Sequence, residues 1–111
     1  WLGFSGRELK PAVDAREAAL FTSEGASDSD LKAARKAFRI MNDHMTLRQI
    51  EGLDWFVGAS PTLADLALLP SFALSRDCGI DHDEYPALRR WLRRFRALPG
   101  FITMPGVPDY H

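Results

Sequence analysis

Apolar residues recur along this chain at spacings of three and four and never in strict alternation, a period that belongs to helices. Trp1, Leu2 and Phe4 begin one apolar face, which resumes after Pro11 with Val13, Ala15, Ala18, Ala19, Leu20 and Phe21. A proline removes a backbone donor and turns the residue before it away from helical geometry, so the pattern predicts a helix broken or kinked at Pro11. Glu24 to Asp28 ends it. Leu31, Ala34, Phe38, Met41 and Met45 then predict an amphipathic helix from about Asp28 to about Met45, with Lys32, Arg35, Lys36, Arg39 and Asp43 on its outer face. A turn or frayed extension through Gln49 to Gly52 leads to Trp55-Phe56-Val57.

The next start signal is local and chemical. In Thr62-Leu63-Ala64-Asp65 the threonine hydroxyl is expected to accept the Asp65 amide hydrogen and the aspartate to reach back to the threonine amide, a reciprocal capping box, with Pro61 and Leu66 at staple positions. The helix it opens is expected to run to about Arg76, closed by Gly79. Between Leu63 and Leu74 only Asp65, Pro70 and Ser71 interrupt the apolar residues, which predicts a helix surrounded by protein on all sides. Asp81, Asp83 and Glu84 precede a last long helix whose first turn takes Pro86. Leu88, Trp91, Leu92, Phe95 and Leu98 form its predicted buried face, Arg89, Arg90, Arg93, Arg94 and Arg96 its outside, and Pro99-Gly100 its stop. Met104, Pro105, Val107, Pro108 and Tyr110 suit an apolar tail laid across the rest. The expected fold is all-α, a single domain in the form of a bundle of about five helices.

Composition narrows the function. A chain of 111 residues with an apolar share of 46% builds one core, and a formal charge of -1 offers no general attraction to nucleic acid or anionic membrane. The single cysteine, Cys78, forms no internal disulfide, which leaves either a reducing compartment or no redox information, and the expected setting is cytoplasmic. No apolar run is long enough to span a bilayer. The chain opens at Trp1, already in helical pattern and without a methionine, so it is expected to be a piece of a longer protein.

Few residues invite a catalytic reading. Cys78 follows Asp77 and precedes an acidic segment, surroundings that raise a thiol's pKa, and no histidine stands close before it. His44, His82 and His111 have no metal-ligand spacing, and no zinc site is expected. Asp65 is explained by capping. The arginines from Arg89 to Arg96 suggest phosphate contacts, but they lie opposite the apolar face, no aromatic residue is left to stack a base, and acids lie just before them, so a solvated face and no nucleic-acid partner are expected.

Two stretches carry a resemblance to a known family. Asp54-Trp55-Phe56-Val57-Gly58, with Ser60-Pro61-Thr62-Leu63-Ala64-Asp65-Leu66-Ala67, resembles the buried capping box and staple of the C-terminal helical domain of glutathione S-transferases. Tyr85-Pro86-Ala87-Leu88-Arg89-Arg90-Trp91-Leu92, with Arg96-Ala97-Leu98-Pro99-Gly100-Phe101, is similar to the penultimate helix and exit turn of many bacterial members, and Trp1 to Leu9 to their first helix in that domain. Thr46 to Glu51 looks longer than usual between its helices.

The resemblance implies a two-domain parent. Its thioredoxin-like domain, absent here, would bind glutathione and supply the catalytic hydroxyl or thiol. The helical domain would wall the pocket for a small hydrophobic electrophile and share in a homodimer interface. By that analogy the pocket is lined by Phe4, Arg7, Glu8 and Pro11 from the first helix and by Met104, Val107 and Tyr110 from the tail, with Arg7 placed to meet a glutathione carboxylate or an anionic substrate. The parent's reaction would be transfer of glutathione to an electrophile or reduction of a disulfide. This chain alone is expected to be inactive, with no catalytic residue of its own. The alternative is a transferase-like helical module used for protein assembly without catalysis.

Overall fold

The computed structural model describes residues 1–21 and 27–98. Five α-helices follow in order: α1 Leu2–Arg7, α2 Lys10–Phe21, α3 Asp28–Ile50, α4 Leu63–Ala73 and α5 Pro86–Arg96, with short 3-10 turns at Ser75–Cys78 and His82–Glu84. Among the described residues there is no strand, so the all-α expectation holds. The packing is α2 on α3, α3 on α5, and α4 between α1 and α5.

The break near Pro11 falls earlier than the sequence predicted. Pro11 is the second residue of α2, where its missing N–H is one that a helix start leaves unpaired anyway. The discontinuity lies at Glu8-Leu9, where both amides converge on the Phe4 carbonyl, at 2.9 and 3.2 Å, and the Leu9 carbonyl restarts the ladder by accepting from Ala12 and Val13. Leu9 itself is fully buried there.

α3 runs five residues beyond the predicted end at Met45, to Ile50, and Gly52 at φ 82° then reverses the chain. The apolar signal faded because the last turns are held by polar side chains instead. Arg48 donates to the carbonyls of Trp55 and Gly58, and Gln49 to that of Ala87. Ser27 caps the other end, accepting from the Asp30 amide at 3.1 Å.

α4 begins at the predicted box, closed in both directions, with Thr62 also accepting from the Ala64 amide at 3.2 Å. It ends sooner than Arg76, at Ala73, and continues as the 3-10 turn that Gly79 terminates at φ 87°. Nor is it surrounded by protein. Leu63 is 70% and Leu66 54% exposed, Pro70 is exposed too, and these three make one stripe at i, i+3 and i+7. Pro61 and Leu66 bury neither side of a staple. Leu68, Leu69, Phe72 and Ala73 take the inner face.

α5 starts at Pro86 and buries Ala87, Leu88, Trp91, Leu92 and Phe95. Its N-terminus has no local side-chain cap. Asn42 of α3 supplies one from across the core, its Oδ1 accepting from the amides of Ala87 and Leu88 at 2.9 and 3.2 Å. The core is a continuous cluster in which Phe38 meets Phe72 and Tyr85 edge-on, and Trp91 meets Phe56 and Phe95 likewise.

Candidate functional site

Asp65 is the most connected polar residue of the interior. Its side chain is fully buried and accepts on both oxygens: Oδ1 from the Phe56 amide and the Trp91 indole, each at 3.0 Å, and Oδ2 from the Thr62 amide at 2.9 Å and the Thr62 hydroxyl at 3.3 Å. The sequence indicated only the Thr62 bonds. Charge in low dielectric is costly unless paired or fully hydrogen-bonded, and four donors meet that need. Asp65 therefore ties the start of α4 to the 55–58 loop and to the middle of α5. It is a structural carboxylate, enclosed and saturated.

The same loop is held from α3. His44 Nε2 meets the Phe56 carbonyl at 2.9 Å, its ring stacked on Phe56 and packed against Trp1. One turn on, Arg48 grips Trp55 and Gly58. Trp1 also touches Phe4 and Phe56 edge-on, so the first residues of the chain are seated on the loop that feeds Asp65.

The pocket residues implied by resemblance divide. Phe4 is half-buried and packs against the core, and Pro11 is half-buried at the start of α2. Arg7 and Glu8 are exposed at the α1–α2 break, 3.8 Å apart as an ion pair. These four residues therefore span the α1–α2 junction, two anchored and two facing solvent. Met104, Val107 and Tyr110 lie outside the described residues. A separate open cleft of about 890 Å³ runs along the N-terminal half of α3, lined by Leu31, Lys32, Arg35, Lys36 and Arg39 among others.

A second buried polar pair went unforeseen. Ser75 donates to the Phe72 carbonyl at 2.6 Å, so its oxygen accepts from His82 Nε2 at 2.9 Å. The imidazole stacks on Phe72, ring centroids 4.1 Å apart. Burial, reinforced by the positive charges of Arg76 and Arg89, pushes the His82 pKa down to about 4 and outweighs the opposing effects of a backbone hydrogen bond and Asp81. Ser75 and His82 have the separation of a nucleophile and its base but not the chemistry. Both are buried, and the serine proton already points at a carbonyl. The only signal in the sequence was a histidine just past a helix-ending glycine. Cys78 donates weakly to the Ser75 carbonyl at 3.1 Å. Among the described residues no group of three histidine, cysteine or acidic side chains gathers as a metal site, and no helix is long and apolar enough to cross a membrane.

What remains is a scaffold: a saturated carboxylate at its centre and an α1–α2 wall beside it. Residues 8–99 match the family described as glutathione S-transferase, C-terminal domain. The chain belongs to that family. Among solved structures it is similar to a glutathione S-transferase from Xanthobacter autotrophicus Py2, with 28% identity and a TM-score of 0.80, over 96% of this chain and 52% of that one. A possible glutathione S-transferase from Rhodopseudomonas palustris matches at 28% identity and a TM-score of 0.76, over 100% of this chain and 51% of that one. A glutathione S-transferase from Pseudomonas fluorescens Pf-5, at 23% identity and a TM-score of 0.80, covers 95% of this chain and 53% of its own, a likeness of fold alone. The chain thus spans about half the length of the solved proteins it matches.

Proposed function

We propose that this chain is the electrophile-binding and dimerisation half of a glutathione S-transferase-like enzyme. The observation that carries the reading is the family match over residues 8–99, joined to an apolar stripe on α4 that is left exposed among the described residues. In this reading a thioredoxin-like half preceding Trp1 rests on Leu63, Leu66 and Pro70 and holds glutathione. The glutathione thiolate attacks the electrophilic carbon. The carbon–sulfur bond forms as the leaving group departs with its electron pair, or, with a disulfide substrate, a sulfur–sulfur bond is exchanged. The residues of this chain contribute position and exclusion of water. Phe4 and Pro11 give apolar contact to the electrophile, Arg7 and Glu8 set the charge at the rim, and Met104, Val107 and Tyr110 close the pocket from the tail.

The test joins the other half of the Xanthobacter relative upstream of Trp1 and measures conjugation of 1-chloro-2,4-dinitrobenzene to glutathione. The expected result is glutathione-dependent conjugation whose KM for the electrophile rises in Phe4→Ala and Arg7→Ala while the KM for glutathione holds. A folded, dimeric chimera with no conjugation, or variants that shift only the glutathione KM, would overturn the assignment.

A further inference from the structure

We propose that the outer face of α5, with the C-terminal end of α3, is a docking track for an acidic amphipathic helix of a partner protein. Two clefts meet at Arg90. One, of about 280 Å³, lies between Gln49 and Ile50 on α3 and Pro86 and Ala87 on α5. The other, of about 410 Å³, is lined by Asp54, Arg93, Arg94 and Ala97. Because Arg90 lines both, they form one track that follows α5 from Pro86 to Ala97, about 16 Å at the helical rise per residue.

The two ends of the track differ in chemistry. At the α3 end Ile50 is 77% and Leu47 66% exposed, neighbours one turn apart and the most exposed apolar side chains of α3, where Ile40, further up the helix, is 43% exposed. At the other end the arginines fall into two kinds. Arg89 is bound to Asp83 and Arg94 to Asp54, each at 2.6 Å. Arg90 and Arg93 stand between them, exposed and three residues apart on one face, with no carboxylate partner among the described residues. The helix dipole favours cations in the last turn and so accounts for Arg93 and Arg94, but it offers nothing to Arg90, a turn earlier. An opposing helix with carboxylates at i and i+3 or i+4 meets Arg90 and Arg93, and a leucine one turn away enters the groove beside Ile50. A nucleic-acid strand fits less well. Asp54 lines the track, Trp91 and Phe95 are buried and stack no base, and phosphates leave Ile50 and Leu47 uncovered. The inference is independent of whether the parent acts on glutathione.

The full chain, labelled with nitrogen-15, is titrated with a helical peptide of about twelve residues, long enough for the track, carrying two glutamates and one leucine in this register. A peptide with serine in place of the leucine and a short DNA duplex are run beside it. Expected are amide shifts at Ile50, Arg90 and Arg93, weakening with salt, and a loss of at least about tenfold in affinity for the serine peptide and for Arg90→Glu with Arg93→Glu. Should the double variant lose its helical circular dichroism, Ile50→Ser carries the same comparison. No shifts at millimolar peptide, equal affinity for the serine peptide, or tighter binding of the duplex would each overturn the proposal.

Discussion

Asp65→Ala removes one carboxylate and strands donors on three segments at once. The Phe56 amide and the Trp91 indole, both on buried residues, lose their acceptor at 3.0 Å, and the half-buried Thr62 amide loses its own at 2.9 Å. Each buried donor left without a partner costs about 1–3 kcal/mol, and the half-buried one less. Relief of the carboxylate's own burial offsets part of that, which leaves a net loss of about 3 kcal/mol. For a domain of this size that lowers Tm by roughly 10–20 °C. Asp65→Asn is the graded comparison. Its oxygen can still serve Phe56 and Trp91, while its NH2 confronts the Thr62 amide donor-to-donor, so the expected loss is about half that of alanine. Urea unfolding followed by circular dichroism gives both values, and exchange of the Trp91 indole proton reports the site directly. A loss below about 1 kcal/mol for the alanine variant, with the indole still protected, would refute the argument that this carboxylate joins the three segments.

Acid should weaken the protein through His82. The unfolded imidazole takes up its proton near its ordinary pKa of 6.5 and the folded one only near 4, so the stability present above pH 6.5 falls as pH drops from 6.5 through 4. The loss amounts to about 3 kcal/mol, and a His82→Gln variant, followed by urea midpoints across that range, should show a shallower fall. Asn42→Ala uncaps α5 and should cost about 1–2 kcal/mol, with faster hydrogen exchange at the Ala87 and Leu88 amides as its local sign. Gly79→Ala forces a side chain into φ 87° and should cost about 1 kcal/mol by thermal melting, although the space around it is open. Leu63→Ser with Leu66→Ser should change the stability of this chain by less than about 0.5 kcal/mol in urea, because both side chains already face solvent.

The elements that depend on near neighbours were legible in the sequence. The three-and-four period placed the helices, Thr62 and Asp65 announced their box, Pro86 marked the first turn of α5 and Gly79 a stop, each through an interaction spanning four residues or fewer. The resemblance carried by the 54–67 and 85–101 stretches likewise identified the family. Tertiary structure alone decided the rest, because it concerns partners distant along the chain. The indole of Trp91 reaches Asp65 across 26 positions and Asn42 reaches the Ala87 amide across 45, distances over which no local pattern carries information. The polar clasp of Arg48 and Gln49 lengthened α3 beyond its apolar signal for the same reason. The error on α4 is of another kind: apolar residues show that a face can be buried, not that anything in the chain lies over it. Leu63, Leu66 and Pro70 are exposed because the described segments that pack on α4 approach from its other side, and only the assembled fold reveals which side that is.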